Sequence, residues 1–238
     1  MLIDIHQHIL HQLDDGAQSF EITKKLLLKA QSDQISDIIA TPHAIPGMEP
    51  FDLIKYYEHF QMAKEWLREN EIPLRIHKGA EIFYTDATVR MLNEGRIPTL
   101  AGTKYVLIEF SPRASFDMMC SAVRKLGGAG YSSIFAHIER YQALRKLSNI
   151  EILKDEYDIL MQVNAETILN PVGLMEKLWL KKVMKEEMID IVASDTHNLG
   201  SRGNVLLESR NKVAKMYDEE TADKLYTKTP GIIIRKSK

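Results

Sequence analysis

The stretch LIDIHQHILHQLDDGA, residues 2–17, combines the alternating apolar residues of a strand with three histidines and three aspartates. Side chains two apart on a strand point to the same face, so His6 and His8 can bind one ion. Burying several imidazoles and carboxylates is unfavourable unless cations balance them. The stretch therefore predicts a first strand that ends in a metal site.

Seven short apolar or β-branched runs recur along the chain, about one per βαβ unit of thirty residues, and segments with helical periodicity separate them. The predicted strands are Leu2–His6, Ile35–Thr41, Leu74–Ile82, Lys104–Phe110, Ser133–His137, Ile159–Asn164 and Met188–Ser194. The predicted helix faces are Ile22, Leu26 and Ala30, and Leu53, Tyr57, Phe60 and Leu67. This pattern builds a parallel barrel or an open doubly wound sheet, and we expect a single α/β domain over residues 1–238.

Polar side chains that can bind a metal stand at the carboxyl ends of six of these seven runs. The candidates are His6, His8, His43, Glu81, Glu109, His137, Asp195 and His197, and Asn164 ends the remaining run. The carboxyl ends of parallel strands meet at one mouth, where ligands bind in barrels and open sheets alike. The sequence therefore predicts one shared site. The other histidines, His11, His59 and His77, need no role in it.

Nitrogen and oxygen donors without a thiolate suit Mn²⁺, Fe²⁺ or Zn²⁺. So many ligands predict two or three ions bridged by a carboxylate, an arrangement that hydrolyses phosphoesters with a bridging hydroxide as the nucleophile. Arg140 follows His137 and Arg202 follows His197, and a guanidinium matches phosphate oxygens in bidentate fashion. The residues together predict a metal-dependent phosphomonoesterase.

The composition limits the classes of partner and the compartment that we expect. The net charge of −2 offers no broad cationic surface for nucleic acid. Cys120 is the single cysteine, so no internal disulfide can form, which favours the cytoplasm. No signal-like segment and no run of membrane-spanning length is present, so we expect no membrane insertion. The final IIIRKSK predicts a solvated basic tail.

The motifs IDIHQHIL with LDDGA, IIATPH, GAEI, YVLIEF, AHIERY and ASDTHN resemble the PHP (polymerase and histidinol phosphatase) superfamily. Within it they are most similar to the bacterial protein-tyrosine phosphatases of capsule and exopolysaccharide clusters. The resemblance implies a distorted TIM-like (β/α)₇ barrel, the PHP fold, with three manganese ions at its mouth. It also implies a substrate, the phosphotyrosine tail of a bacterial tyrosine kinase that drives polysaccharide export.

The resemblance also implies a ligand set. One ion would take His6, His8, Glu81 and Asp195, a second Glu81, Glu109 and His137, and a third Asp15, His43 and His197. In LDDG the residues alone allow either aspartate, and the family pattern favours Asp15 over Asp14. Arg140 and Arg202 would bind phosphate, with Asp15 beside them in the catalytic set.

One position departs from the family pattern, because Ile138 stands where relatives have proline, which could loosen the aim of Arg140.

Three alternative functions remain open. They are a histidinol-phosphate or other small-molecule phosphatase, a nuclease acting on DNA ends, and a metal-containing module that binds the kinase without hydrolysis. The sequence leaves the oligomeric state open.

Overall fold

The structure, a computed structural model, describes residues 1–235. Within them nine strands are present: β1 (Leu2–Gln7), β2 (Ile35–Ala40), β3 (His43–Ala44), β4 (Arg75–Lys78), β5 (Glu81–Phe83), β6 (Tyr105–Glu109), β7 (Ser132–Phe135), β8 (Leu160–Asn164) and β9 (Ile191–Ala193). The helices are α1 (Phe20–Ser32), α2 (Leu53–Glu69), α3 (Thr88–Asn93), α4 (Phe116–Gly128), α5 (Leu147–Tyr157), α6 (Ala165–Leu169), α7 (Gly173–Lys185), α8 (Leu206–Met216), α9 (Glu219–Asp223) and α10 (Thr229–Ile234).

The strands occupy seven positions around a curled parallel sheet. β3 pairs with β5 in the register that β2 keeps with β4, so each of these pairs of segments fills one position. The order is then β1, β2/β3, β4/β5, β6, β7, β8 and β9. A parallel bridge between Gln7 and Thr196 brings the last position back to the first. The predicted α/β fold, a distorted seven-position barrel, is confirmed.

The third predicted run is wrong as a single strand, because it breaks between β4 and β5. The Tyr56 hydroxyl accepts a hydrogen bond from the Gly79 N–H at 3.0 Å and donates to the Gly79 carbonyl at 3.1 Å. Both backbone groups of Gly79 thus bind the hydroxyl instead of a neighbouring strand. A Cβ at this position would lie 2.6 Å from Ile39 Cγ2, so only glycine fits. The predicted face of α2 is corrected by one residue, since Tyr56 is buried and Tyr57 is 38% exposed.

Alternate strand residues divide the core into two layers. The inner layer is a cluster of buried side chains: Ile3, Ile5, Ile39, Leu100, Leu107, Ile134, Ala136, Ile191, Ala193 and Ile233. The alternate residues, such as Val106 and Phe135, belong to a larger cluster packed against the helices. The inner layer is therefore apolar, and charged or polar side chains continue its face at the carboxyl ends of the strands.

The C-terminal helix α10 contributes Ile233 to the inner layer, and Gly231 lies near the Ile3 side chain at the start of β1. The expectation of a solvated tail is therefore wrong for Ile233. Buried apolar area stabilises this segment against the barrel. Arg235 is exposed as expected, and residues 236–238 lie outside the described part of the chain.

A buried carboxylate on the same face of β2 as Ile39 joins β2 to β4. Asp37 Oδ1 and Oδ2 accept hydrogen bonds from Arg75 Nε and Nη2 at 2.7 and 2.6 Å, and Ser36 Oγ donates to Oδ2 at 2.8 Å. His77 Nε2 lies 2.8 Å from Oδ1. Burial alone would raise the pKa of Asp37, but these partners hold it well below the usual value.

We expect Asp37→Asn to lower the free energy of unfolding at pH 7 by about 1–3 kcal/mol, because the charge-assisted bonds are lost while Arg75 stays largely in solvent. The folded pKa is lower than the unfolded value of 3.8. The unfolded state therefore takes up the proton first as the pH falls, and the difference between variant and wild type should shrink below that pH. Urea unfolding at several pH values measures it. Asp86→Asn, which breaks an exposed pair with Lys125, is the control. A difference in unfolding free energy that does not change with pH would contradict a lowered pKa of Asp37 in the folded state.

Candidate metal centre

Three overlapping groups of imidazoles and carboxylates lie at the carboxyl ends of the strands. Within each group the ligand atoms lie within 4.8 Å of one another. The groups are His6, His8, Glu81 and Asp195; His43, Glu81 and Glu109; and His8, Asp15, His43 and His197. His137 Nε2 adjoins the second group, at 2.7 Å from Glu81 Oε1 and 3.6 Å from Glu109 Oε1. The structure thus brings all the candidate ligands together, and their roles as ligands stay predictions.

Glu81 stands at the centre of these groups. Its Oε2 atom lies 3.2 Å from His6 Nε2, 3.3 Å from His8 Nε2 and 2.9 Å from His43 Nδ1. Burial alone would raise the pKa of Glu81, but the neighbouring imidazoles hold it well below the usual range. The carboxylate is therefore ionised, and one of its oxygens faces three nitrogen donors.

The second carboxylate of this region behaves differently. Burial, and then repulsion from Glu81, raises the pKa of Glu109 to about 7. Two carboxylates that share a site cannot both ionise easily without a compensating cation. The pair therefore gives this part of the mouth a strong attraction for a positive ion.

The two aspartates of LDDG have different surroundings. Asp15 Oδ1 lies 3.1 Å from His197 Nε2 and 3.5 Å from His43 Nε2, in the position expected of a ligand. Asp14 accepts hydrogen bonds from the backbone N–H groups of Gly16 and His43 at 2.9 and 3.0 Å. Its Oδ2 atom also lies 2.6 Å from Nδ1 of His8. Asp14 is thus a turn residue, as expected, and it also orients an imidazole.

The hydrogen bonds at Nδ1 of His6 and His8 determine whether the Nε2 atoms of these rings, which face the centre, carry a proton or a lone pair. The His137 N–H donates to Gln162 at 2.9 Å, so the accepting atom is the amide oxygen, and His6 Nδ1 at 3.2 Å must donate to it. Asp14 makes His8 Nδ1 a donor in the same way. In neutral rings both Nε2 atoms then carry lone pairs, and these atoms lie only 3.2 Å apart. Such a contact is repulsive without a proton or a cation beside it.

These residues fit a cation cluster. Among residues 1–235, Glu81 Oε2 and His197 Nε2 are buried and make no hydrogen bond of good geometry, although His43 Nδ1 and Asp15 Oδ1 lie 2.9 and 3.1 Å from them. Burial, and then repulsion from His8, lowers the pKa of His197 to about 4, so its ring is neutral and can bind a metal. Burial would lower the pKa of His8, but Asp14, Asp195 and Glu81 raise it well above the usual value. A cation would therefore displace a proton from His8.

Strand β8 supplies two site residues that the sequence did not single out as a pair. Gln162 holds His6 and the backbone of His137, which has a left-handed φ of 32°. Gln162 Nε2 donates to Asn164 Oδ1 at 2.8 Å, and Asn164 Nδ2 donates to Asp195 Oδ2 at 2.8 Å. One chain of amides thus orients three candidate ligands. The sequence marks Asn164 only as the end of a strand, and Gln162 belongs to no motif by which it could be found.

Both predicted arginines reach Asp195. Arg140 Nη2 donates to Oδ2 at 2.7 Å, and Arg202 Nη2 lies 3.6 Å from Oδ1. Arg202 Nη1 also donates to Asp15 at 2.9 Å. The two guanidinium groups, with Asp195 and Ser194, line one open pocket of about 260 Å³. Each guanidinium has five N–H donors and uses only a few of them here, so donors remain for an anion.

The turn that carries Arg140 is well packed despite the missing proline. Ile138–Arg140 forms a single 3₁₀ turn, and the Ile138 side chain is fully buried in the larger core cluster. Burial of this apolar side chain restrains the turn in place of a fixed φ. A looser aim of Arg140 stays a prediction. Away from the site, His11 and His59 stack on each other at a ring separation of 3.7 Å.

The fold and the mouth define an α/β barrel of the PHP type with a candidate metal site. A histidinol phosphate phosphatase from Lactococcus lactis has this fold, with a TM-score of 0.58 at 16% identity, and the match covers 93% of each chain. The family model for capsular polysaccharide synthesis, CpsB/CapC, matches residues 2–235. The chain belongs to this family, and the resemblance that its motifs predicted is confirmed.

Individual relatives match over nearly the whole chain. The tyrosine-protein phosphatase CpsB of Streptococcus pneumoniae is 33% identical over 240 residues, which cover 98% of each protein. The tyrosine-protein phosphatase YwqE of Bacillus subtilis is 28% identical and covers 92% of this chain and 86% of its own. A solved structure from work on YwqE and CpsB, described as metal-dependent tyrosine phosphatases, matches with a TM-score of 0.90 at 27% identity. That match covers 100% of this chain and 96% of the other. Within residues 1–235, no helix has both the length and the hydropathy to cross a membrane.

We expect Gln162→Leu to weaken Mn²⁺ binding about 10- to 100-fold, the usual effect of losing a group that orients a metal ligand. Gln162→Glu keeps an acceptor for His6 and for the His137 N–H but loses the donor to Asn164, so it should bind Mn²⁺ more weakly than wild type and more tightly than the leucine variant. Titration calorimetry on metal-stripped protein measures both. Urea unfolding of the same stripped variants separates a loss of folding from a loss of binding. Equal affinities for Mn²⁺ in the leucine and glutamate variants would contradict the orienting role.

Proposed function

We propose that this chain is a metal-dependent phosphomonoesterase that removes phosphate from tyrosine residues of proteins. The observation that carries the proposal is the pair Arg140 and Arg202, whose spare donors line the same pocket as Asp195 of the candidate metal centre. Anion-binding groups thus stand beside candidate metal ligands, as phosphate ester hydrolysis requires. The relatives named as tyrosine-protein phosphatases support this choice of substrate.

We assign three ions to the centre, with manganese as the expected metal and Fe²⁺ or Zn²⁺ as alternatives. The first would be held by His6, His8, Glu81 and Asp195, the second by Glu81, Glu109 and His137, and the third by Asp15, His43 and His197. Bound divalent ions supply an activated water and neutralise charge on the phosphate oxygens. The buried Glu81 Oε2 and His197 Nε2 atoms support the assignment.

The side chains around the ions would bind and orient the phosphate. Arg140 and Arg202 would donate to the phosphate oxygens from the open side, where both are about two-fifths exposed. Asp195 would fix both guanidinium groups, and Asn164 would hold Asp195 in turn. Asp15 would join Arg202 to the third ion. The phosphate would thus be positioned before the chemical step.

The proposed substrate is the phosphotyrosine tail of a bacterial tyrosine kinase that acts in capsule or exopolysaccharide synthesis. Membership of the capsular polysaccharide synthesis family supports this partner. The buried, unpaired Cys120 fits a reducing compartment, so we place the activity in the cytoplasm.

The first test compares hydrolysis of a phosphotyrosine peptide and of histidinol phosphate by metal-stripped protein and after Mn²⁺ is restored. We expect strong preference for the peptide and loss of turnover on stripping. Asp195→Ala should abolish turnover while thermal unfolding of the stripped protein changes little, because the residue lies at the mouth and not in the packed layers. Preference for histidinol phosphate would replace the substrate. No turnover of either compound would favour a binding module.

We expect Arg140→Ala to lower kcat/KM about 10- to 100-fold, the effect of losing one or two charged hydrogen bonds. The inhibition constant of inorganic phosphate should rise with it, because the guanidinium would bind the same oxygens in product and substrate. Arg124→Ala, which removes an exposed arginine bonded to Tyr157 on the outer layer, is the control. Unchanged kcat/KM and phosphate inhibition in Arg140→Ala would remove the proposed role.

A further inference from the structure

A second concave surface lies on the outer side of helices α7 and α8. This groove has a volume of about 400 Å³. Its apolar wall is formed by Ile168, Pro171, Leu174, Leu178, Met216 and Tyr217. Leu174, Leu178 and Met216 are exposed, although large apolar side chains usually avoid water when they cluster. Apolar patches of this kind mark binding surfaces.

The rim of the groove is cationic. Lys177, Lys181 and Lys212 line it, and no aspartate or glutamate does. Among the described residues, neither Lys177 nor Lys181 lies within ion-pair distance of a carboxylate, and Lys212 donates to the Leu169 carbonyl. The stems of lysine side chains extend an apolar surface while their ammonium groups remain in water. The groove therefore matches a segment that carries apolar and acidic side chains together.

One stretch of chain separates the groove from the pocket of Arg140 and Arg202. Thr167, Val172 and Glu176 line the pocket. A chain neighbour of each, namely Ile168, Pro171 and Lys177, lines the groove. The crest of this wall, Val172 to Met175, is apolar and solvent-exposed, with Val172 82% and Met175 79% exposed. A peptide that leaves the pocket over this crest would bury apolar area on its way into the groove.

We propose that the groove binds a segment of the substrate protein, next to the phosphotyrosine, that carries both apolar and acidic residues. The proposal rests on the proposed function, since it places the phosphotyrosine in the arginine pocket. A second copy of this chain is a poorer occupant. A symmetric contact through the groove would bring the lysines of both copies together, and like charges at an interface are unfavourable.

The test uses three synthetic peptides and the Mn²⁺-loaded protein. The first peptide has a phosphotyrosine between Gly-Ser spacers. The second adds Leu-Glu-Glu-Leu beyond the spacer, on either side in separate versions, and the third carries Leu-Lys-Lys-Leu instead. We expect the acidic extension, on one side, to raise kcat/KM about tenfold through KM with kcat unchanged. The lysine extension should give no gain.

The double variant Lys177→Glu/Lys181→Glu should lose the tenfold gain and keep the wild-type kcat/KM for the short peptide. Lys182→Glu changes the charge of the same helix, but Lys182 does not line the groove, so this control should keep the gain. Equal kcat/KM for the short and acidic peptides would overturn the groove while leaving the phosphatase intact. So would a gain that survives in the double variant.

Binding of the acidic extension without phosphotyrosine, followed by fluorescence anisotropy, keeps the groove testable if no peptide is hydrolysed. Binding that the double variant weakens tenfold and Lys182→Glu leaves unchanged would support the groove and count only against the phosphatase. Equal binding by all three proteins would overturn the groove. Concentration-dependent dimers that Leu178→Asp abolishes, together with no peptide binding, would assign the groove to a second copy.

Discussion

The buried carboxylate of Glu81 is the charge on which the mouth of the barrel depends. An ionised carboxylate without compensation is very unfavourable in an apolar interior. The residues around it therefore have to supply positive charge or hydrogen bonds. The carboxylates raise the pKa of His6 and of His43 against the effect of burial, which favours their charged forms. Burial lowers the pKa of His137, whose Nε2 lies 2.7 Å from Glu81 Oε1. The position of Glu81 follows from the break before β5, because the Tyr56 hydroxyl takes over the backbone groups of Gly79 two residues earlier.

Protons and cations compete to balance this charge. Without a metal, the raised pKa of His8 keeps a proton in the cluster. In neutral rings, His8 Nδ1 donates to Asp14 and His6 Nδ1 donates to Gln162, so the Nε2 lone pairs of both rings face the centre. The same nitrogen atoms cannot hold a proton and bind a metal, so the two states exclude each other. Asp14 and Gln162 therefore influence the affinity of the site for a cation, because they orient the imidazoles without being candidate ligands themselves.

Much of the fold and the site could be predicted because the signals are local. Strand alternation has a period of two, and parallel strands bring their carboxyl ends to one mouth, so the candidate ligands other than Asp15 could be found from spacing. The choice of Asp15 over Asp14 needed the family resemblance. The role of Gln162 could not be found from spacing, because its partners lie on β1 and after β7 and depend on tertiary register. The break at Gly79 depends in the same way on a tyrosine in α2. The helical pattern predicts that Tyr57 is buried, but the structure buries Tyr56 instead. A rotation of the helix by one residue depends on the side chains against which it packs.

The wall between pocket and groove connects the rigid mouth to the surface that would select a substrate. It begins at Asn164, whose side chain holds Asp195 and whose N–H donates to the buried Glu139 at 3.1 Å. Thr167 adds a second bond to Glu139 at 3.2 Å. The start of the wall is therefore fixed to the site, while its crest near Val172 is in solvent. A segment bound beyond the crest would thus lie at a defined position from Asp195. Substitutions on the crest or in the groove can then change which protein is bound without disturbing the ligands, because those side chains belong to the strand ends.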